Sequence, residues 1–274
     1  MTSKTSIADA IAVLRAKGEP FAVATVVRTI SLTAAKAGAK AAILADGSIA
    51  AGWIGGGCAR AAVIKAARQA LADGKPHLIS VAPLDLLQDL GVEPGQARDG
   101  VEFAKNACPS QGTMDIFIEP VMPLPALAIC GASPVALALA DLGKRLGYHV
   151  FASAAPEDLP LFEGLADATA AGFDLAALRA AERYVVVATQ GRGDEVALTA
   201  AFQSGAAFVA FVGSRKKAEA LRGALAKKGI AAERLGQLRS PAGLDIGAVT
   251  PEEIALSILG EIIAFRRAGQ RGGP

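Results

Sequence analysis

The run Gly55-Gly56-Gly57-Cys58-Ala59-Arg60 holds the residue types best suited to chemistry in this chain. Three glycines let the backbone take positive φ and bring its amides close to a ligand. A helix opening just after them would aim free N–H groups and the positive end of its dipole at the same point. Cys58 stands at that helix start, where the field favours thiolate over thiol, and Arg60 adds a fixed positive charge. The chemistry implied is a site for an anion with a sulfur nucleophile or metal ligand beside it. The alternative at this stage is a tight turn followed by a buried, unreactive cysteine.

Other stretches carry further candidates. Residues 21–27 read as a Val-rich strand with Thr25, Arg28 and Thr29 as its polar members. Arg28 would either hold an anion or close a strand end in solvent. Residues 106–112 form a second small-residue loop, bearing Cys108. Gly131-Ala132-Ser133-Pro134-Val135-Ala136 occupies the turn where a dinucleotide fold carries G-x-G-x-x-G, but only the first glycine is present. Ser133 as N-cap would spend its oxygen on one amide, and Pro134 removes another. The next strand ends Phe151-Ala152-Ser153-Ala154-Ala155, without the acid that would hold a ribose hydroxyl. Ordinary NAD binding is therefore not expected; a structural Rossmann-like domain, or one holding a nucleotide differently, is. In Gly213-Ser214-Arg215-Lys216-Lys217 three cations oppose the dipole of a predicted helix, at ~0.3–1 kcal/mol each. That suits a bound phosphate or a partner's carboxylate, or else a solvated helix start. Thr189-Gln190-Gly191-Arg192-Gly193-Asp194 closes a buried strand at the end where such sheets take ligands.

The elements that must position these residues follow from periodicity. Residues 7–17 form a short amphipathic helix ended by Gly18, and Asp46-Gly47 joins strands 40–45 and 48–53 in a hairpin. A helix over 59–71 has Gly74 at its C-terminal cap, a strand follows at 77–81, and 85–100 is a loop-rich excursion. Residues 113–119 alternate as a half-buried strand. Pro120, Pro123 and Pro125 suit an extended linker that continues neither a helix nor a central strand, so the predicted domains are 1–122 and 123–274. Beyond them strands (126–130, 148–153, 184–189, 207–212) alternate with helices (135–146, 194–203, 214–228). Thr250-Pro251-Glu252-Glu253 is a capping box opening a last helix, and 269–274 is a frayed tail. The fold class expected is α/β: an N-terminal α+β domain, then a Rossmann-like doubly wound parallel sheet.

Composition sets outer limits. A length of 274 residues suits two domains with real cores, and the 52% hydrophobic content with few aromatics suits close helix–sheet packing. A net charge of +2 without a basic, aromatic-interleaved stripe excludes nucleic acid as a partner. Three widely spaced cysteines, two histidines and no Cys-x-x-Cys argue against a disulfide framework and a structural zinc site. No apolar run of about 18 residues occurs, so a cytoplasmic protein without a membrane span is expected.

Several motifs resemble one family across nearly the whole chain, in order: Val23-Ala24-Thr25-Val26-Val27-Arg28-Thr29, Gly55-Gly56-Gly57-Cys58, Cys108 before the Glu119-Pro120 strand end, Gly213-Ser214-Arg215-Lys216-Lys217, and Gly243-Leu244-Asp245-Ile246-Gly247 through Thr250-Pro251-Glu252-Glu253-Ile254-Ala255. They are similar to the XdhC/CoxI family, accessory proteins that mature molybdenum hydroxylases such as xanthine dehydrogenase and carbon monoxide dehydrogenase. The resemblance implies a non-catalytic maturation factor that binds molybdenum cofactor (molybdopterin or its cytosine dinucleotide) and delivers it, after sulfuration, to the apoenzyme. It implies partnership with that apoenzyme and a sulfur donor, and a homodimer. On it, the Gly55–Cys58 loop and Cys108 belong to the cofactor site, Cys58 being the molybdenum or sulfur contact. Thr25, Arg28, Arg60, Gly131, Ala132, Ser133, Thr189, Gln190, Gly213, Ser214 and Arg215 complete the candidate binding set. Many members carry Gly-Ala-Gly-His-Val where this chain has Gly131-Ala132-Ser133-Pro134-Val135, and Thr-His-Asp-His where it has Thr189-Gln190-Gly191-Arg192. The missing histidines argue against a metal or acid–base role for the second domain and point to a CoxF-type branch. The alternative is a nucleotide-binding enzyme, a nucleotide hydrolase or a flavin- or NADP-linked oxidoreductase, holding FAD, NADP or ATP/ADP in the second domain.

Overall fold

The computed structural model describes residues 6–107, 111–178, 180 and 182–268, and of Cys58 the backbone only. The Cys58 side chain, Cys108 and the 269–274 tail thus lie outside the described residues. The chain forms two compact units, Met1–Pro123 and Leu124–Pro274.

In the first unit, helix α1 (Ile7–Lys17) opens on a capping box in which the Ser6 hydroxyl accepts from the Asp9 amide at 3.1 Å, and it ends at left-handed Gly18. There follow β1 (Phe21–Ile30), β2 (Lys40–Leu44), β3 (Ile49–Gly52), α2 (Gly57–Asp73), β4 (His77–Ala82), α3 (Leu84–Asp89), β5 (Ala97–Arg98), β6 (Val101–Lys105) and β7 (Thr113–Val121). The seven strands make one sheet in the order β3-β2-β1-β7-β4-β6-β5, antiparallel except between β4 and β6. Helix α2 lies on one face, its Val63, Ala67 and Ala70 packed with Ala24, Val26, Ile116 and Ile118 of β1 and β7. Alanines on that stripe let the helix axis sit close to the sheet. On the other face α1 covers one part, with Leu14 against Phe21, Val23 and Ala42.

Two expectations change here. The stretch read as loop-rich holds α3 and β5, and β6 follows it. Pro120 belongs to β7, opposite Ala22 of β1, rather than to a linker. The pairing of β4 with β7 ends at Ile118, so Pro120 has a strand neighbour on one side only, where a missing N–H is tolerated.

The second unit runs β8 (Ala126–Cys130), α4 (Pro134–Arg145), β9 (His149–Ala154), a 3-10 turn over Pro156–Phe162, β10 (Ala168–Ala171), β11 (Arg183–Val187), α5 (Asp194–Gln203), β12 (Phe208–Phe211), α6 (Arg215–Lys227), α7 (Ala232–Gly236) and α8 (Pro251–Ala268). Its sheet is fully parallel in the order β10-β9-β8-β11-β12. The chain steps outward from β8 to β10, then crosses back to β11 on the other side of β8. That reversal makes it doubly wound, with a switch point between β8 and β11. Helices α4 and α8 cover one face and α5 and α6 the other. The α/β class expected from strand–helix alternation is the class observed. Strand β10, Ala-Thr-Ala-Ala, carries no sequence signal because its pairing with β9, not side-chain preference, makes it a strand.

Candidate functional site

The glycine loop is set by the hairpin before it. Gly52 has φ 82° and passes so close to the Lys40 carbonyl that a Cβ would overlap it, and the Trp53 amide donates to that carbonyl at 2.9 Å. Ile54 is buried, and Gly55 follows at φ +110°, its Cβ position 3.6 Å from Met114 Cε and 3.8 Å from Ala34 Cβ. Gly56 is the N-cap of α2 and offers no side-chain acceptor, and no acid occurs in the helix's first turn. Gly57 takes φ +24°, and a Cβ on Gly56 or Gly57 would meet no described atom within 4 Å. The N-cap thus gives the amides opening this 17-residue helix no side-chain hydrogen bond, and exposed Arg60 stands in the same turn.

Neighbouring loops meet this one. A Cβ on Gly112 would overlap the Leu32 carbonyl and lie 2.6 Å from Thr33 Cγ2, while Asn106 Nδ2 donates to the Gly112 carbonyl at 2.6 Å. Segments 31–39 and 53–57 and residues 106, 107, 111 and 112 thus converge at one end of the seven-stranded sheet, and the backbone of Cys58 lies at the same end.

Thr25 and Arg28 do not join it on the α2 side. Strand alternation sends Thr25, opposite Phe117, to the face away from Ala24 and Val26, and an irregularity between Val26 and Arg28 keeps Arg28 on the Thr25 side. Arg28 Nε bonds Asp115 Oδ2 at 2.5 Å, so its charge already has a partner, while Asp115 Oδ1 is buried without one. The structure thus places these two members of the candidate binding set on the sheet face opposite α2. The partner was invisible in the sequence because it lies 87 residues away.

In the second unit, Gly131 sits at φ +104° with its Cβ position 2.6 Å from the Ala188 carbonyl and 2.7 Å from Thr189 Cα. Its amide donates to Ser153 at 2.9 Å, and the Ala188 amide donates to the Cys130 carbonyl at 2.8 Å. The turns after β8 and β11 thus pass backbone to backbone at Gly131, with half-buried Ala132 next in the chain. Ser133 caps α4 by accepting from the Ala136 amide at 3.2 Å, with Pro134 in the first turn, as the sequence led us to expect. Arg192 Nη2 pairs with Asp158 Oδ2 at 3.2 Å, tying the loop after β11 to the turn after β9. Cys130 is buried in β8, and burial pushes its thiol up to about 12, so it is no nucleophile.

Thr189 turns inward. Its hydroxyl donates to Asp194 Oδ1, which also accepts from the Gly191 amide at 3.1 Å, and Asp194 Oδ2 pairs with Lys217 Nζ. Gln190, in the same loop, is exposed with a left-handed φ of 51°. Burial alone would push the Asp194 carboxyl up, but Lys217, Thr189 and the Gly191 amide outweigh it and hold the carboxyl below its ordinary value. One of the three cations counted at the start of α6 is thus matched inside the unit, a correction to the count of free cations there. Ser214 caps α6 by accepting from the Lys217 amide at 3.3 Å. Arg215 and Lys216 are exposed and make no ion pair among the described residues, and Arg215 and Gly213 line a cavity of about 510 Å³.

The sign of the Asp194 shift gives a testable consequence. Its folded value is lowered, so its contribution is present above the unfolded carboxyl value of about 3.9 and is lost as pH falls through the folded value. Lys217→Met should melt below wild type at pH 7, with the gap narrowing as pH falls below about 4. Thermal melts between neutral and acid pH decide this. A gap constant with pH would mean that Lys217 acts by packing on Phe211 instead, 5.7 Å from its ammonium.

Residues 14–82 match the XdhC and CoxI family and residues 127–262 match the XdhC Rossmann domain. The chain belongs to the XdhC and CoxI family. The first match contains the glycine loop and α2, and the second runs from β8 into α8. YqeB of Escherichia coli (strain K12), described as an uncharacterized protein, is 32% identical over 260 residues. The alignment covers 92% of this chain and 45% of YqeB, so the chain spans about half the length of that relative. A solved structure described as a xanthine dehydrogenase from Bacillus halodurans is 18% identical, with TM-score 0.47, over 96% of this chain and 97% of that one. Among the described residues no helix is long and apolar enough to cross a membrane, and no group of three or more His, Cys, Asp or Glu could hold a metal.

Proposed function

We propose that this protein binds molybdenum cofactor and assists its sulfuration and insertion into a molybdenum hydroxylase apoenzyme. The observation that carries this reading, within the family, is the uncapped start of α2. A phosphate needs convergent N–H donors, a positive field and room, and Gly56, Gly57 and exposed Arg60 supply all three, so the residues present fit the phosphate of such a cofactor. When bound, the cofactor supplies a soft metal with sulfur ligands. The chain's share is to hold the phosphate at the α2 amides and to offer Cys58 as a sulfur ligand or carrier at the second helical position, with Cys108 as the second proposed thiol.

The Ser133 cap on the Ala136 amide and the proline at the next position, which occupy or remove amides that a pyrophosphate turn would offer, support this reading over a flavin- or NADP-linked oxidoreductase. The departures at Ser133-Pro134 and Gln190-Gly191-Arg192 lead us to favour the CoxF-type branch and a carbon monoxide dehydrogenase as the enzyme served. The sulfur donor and a second copy of the chain are the other proposed partners, in a reducing cytoplasm. Mass spectrometry of small molecules released from freshly purified protein should show the pterin, and addition of the loaded protein should activate demolybdo-hydroxylase. A tightly held nucleotide that the protein turns over, with no pterin, would reverse the assignment in favour of a nucleotide-binding enzyme.

A further inference from the structure

The cavity of about 510 Å³ in the second unit is lined in part by Gly213 and Arg215, two of the residues in the candidate binding set. It opens at the carboxyl end of β12, the end at which parallel sheets take ligands, and its size falls within the ~300–1,000 Å³ of small-molecule sites. One wall is the turn from β12 into α6, with Gly213 and Arg215; the other is the loop around Leu244, Asp245 and Ile246 with Ile254 of α8.

The second wall is fixed by the fold. The Phe211 amide donates to the Arg239 carbonyl at 2.9 Å and the Ala242 amide to the Phe211 carbonyl at 3.2 Å, which sews the segment to β12. Glu261 of α8 accepts from Arg239 Nη1 and from the Gly243 amide, both at 2.9 Å. The Arg239 guanidinium lies 5.0 Å from the Phe208 ring centroid and 5.3 Å from that of Phe265. Gly243 has φ +98°, and a Cβ there would overlap Ser257 Oγ, so the loop lies directly on the helix. A site whose walls are bonded in place loses little entropy on binding.

The chemistry of the lining is divided. Arg215 offers a guanidinium with no acid partner among the described residues, at the start of a 13-residue helix whose first turn holds no acid. Asp245 offers an exposed carboxylate without an ion pair among the described residues. The same lining holds Leu244 and Ile246, which are 45% and 55% exposed although the cavity gives them a concave setting. A simple anion would satisfy Arg215 and be repelled by Asp245. A ligand that answers all three features carries an anionic group, an apolar flat body and hydroxyl donors. A nucleoside monophosphate has these parts, in phosphate, base and ribose diol.

We propose that this cavity binds a nucleoside monophosphate unit, with its phosphate on Arg215, its base against Leu244 and Ile246, and its ribose hydroxyls on Asp245. The unit occurs as a free nucleotide and as half of a dinucleotide, and the cavity reads the chemistry they share. The inference does not depend on the maturation reading, since its test needs neither metal nor apoenzyme.

Calorimetric titration of the full chain with AMP, CMP, GMP, FAD, NADP, adenosine and inorganic phosphate tests it. At least one monophosphate or dinucleotide should bind, and adenosine and phosphate alone should bind at least about tenfold more weakly, the factor expected for one lost charge-assisted contact. Binding by a monophosphate assigns a free nucleotide; binding by a dinucleotide alone assigns the larger source. Arg215→Ala should weaken binding by a similar factor, and Asp245→Asn should weaken the ribonucleotide but not its 2′,3′-dideoxy analogue. Both positions are exposed, so neither variant should alter the melting temperature, and Cys58→Ala should leave nucleotide affinity unchanged. No nucleotide binding up to millimolar concentration, or binding that survives both substitutions unchanged, would overturn the proposal.

Discussion

Replacing Cys58 with alanine is expected to abolish activation of the hydroxylase while leaving the fold intact. Alanine is the best helix former, and position 58 follows the first residue of α2, where helix stability rests on Val63, Ala67 and Ala70 packing against the sheet. The melting temperature should therefore stay within a few degrees of wild type. The phosphate cradle, built of backbone amides and Arg60, also survives the change. What disappears is the one soft ligand on that turn, and serine should not restore it, because a hydroxyl is a hard donor that stays protonated at neutral pH. Activation of demolybdo-hydroxylase, measured against wild type and against no added protein, should fall to the level without the protein. Unchanged activation by Cys58→Ala would remove the thiol from the mechanism and leave only the anion-binding part of the proposal.

Gly131→Ala is expected to cost the second unit more than any other small substitution considered. The residue sits at φ +104°, where a side chain is strained by ~1–3 kcal/mol, and the added Cβ would stand 2.6 Å from the Ala188 carbonyl and 2.8 Å from its carbon. Those atoms are backbone at the end of a central strand and cannot turn aside as a side-chain tip would. Overpacking of this kind adds ~1–3 kcal/mol, giving roughly 2–6 kcal/mol in all, against ~5–15 kcal/mol for a whole domain. In a unit of this size the melting transition should fall by about 10 °C. Gly147→Ala is the control: its φ is +79°, but a Cβ there meets no described atom within 4 Å, so it carries strain without collision. Calorimetry of the two variants separates the effects, and equal melting temperatures would deny the close passage of the two turns.

Gly131 also shows how a correct local reading can miss its cause. It stands where the first glycine of a pyrophosphate turn would, yet its hydrogen of a side chain lets backbone pass backbone. The same turn's other features were legible because their partners are three residues away: Ser133 and the Ala136 amide, like Thr250 and Glu253 at the start of α8. The loss of pyrophosphate-binding amides at Ser133-Pro134 was therefore foreseeable from the sequence alone. Strand β6 and strand β10 were not, since short polar-alternating or alanine-rich strands depend on the neighbour that pairs with them.

By itself the sequence determined the caps of the longer helices, the hairpin at Asp46-Gly47, the alternation that makes a doubly wound sheet, and the motifs that place the chain in its family, while short α3 and α7 carried no signal in it. Each of these is a matter of contacts within a few residues or of a repeating period, and both are written along the chain. Only the tertiary structure decided that Arg28 is taken by Asp115, that Lys217 is taken by Asp194, and that Arg215 looks onto a cavity whose far wall begins some 26 residues later at Pro241. Strand register and helix docking bring such groups together, and a charge reads the same in sequence whether its partner is a ligand or a carboxylate folded against it.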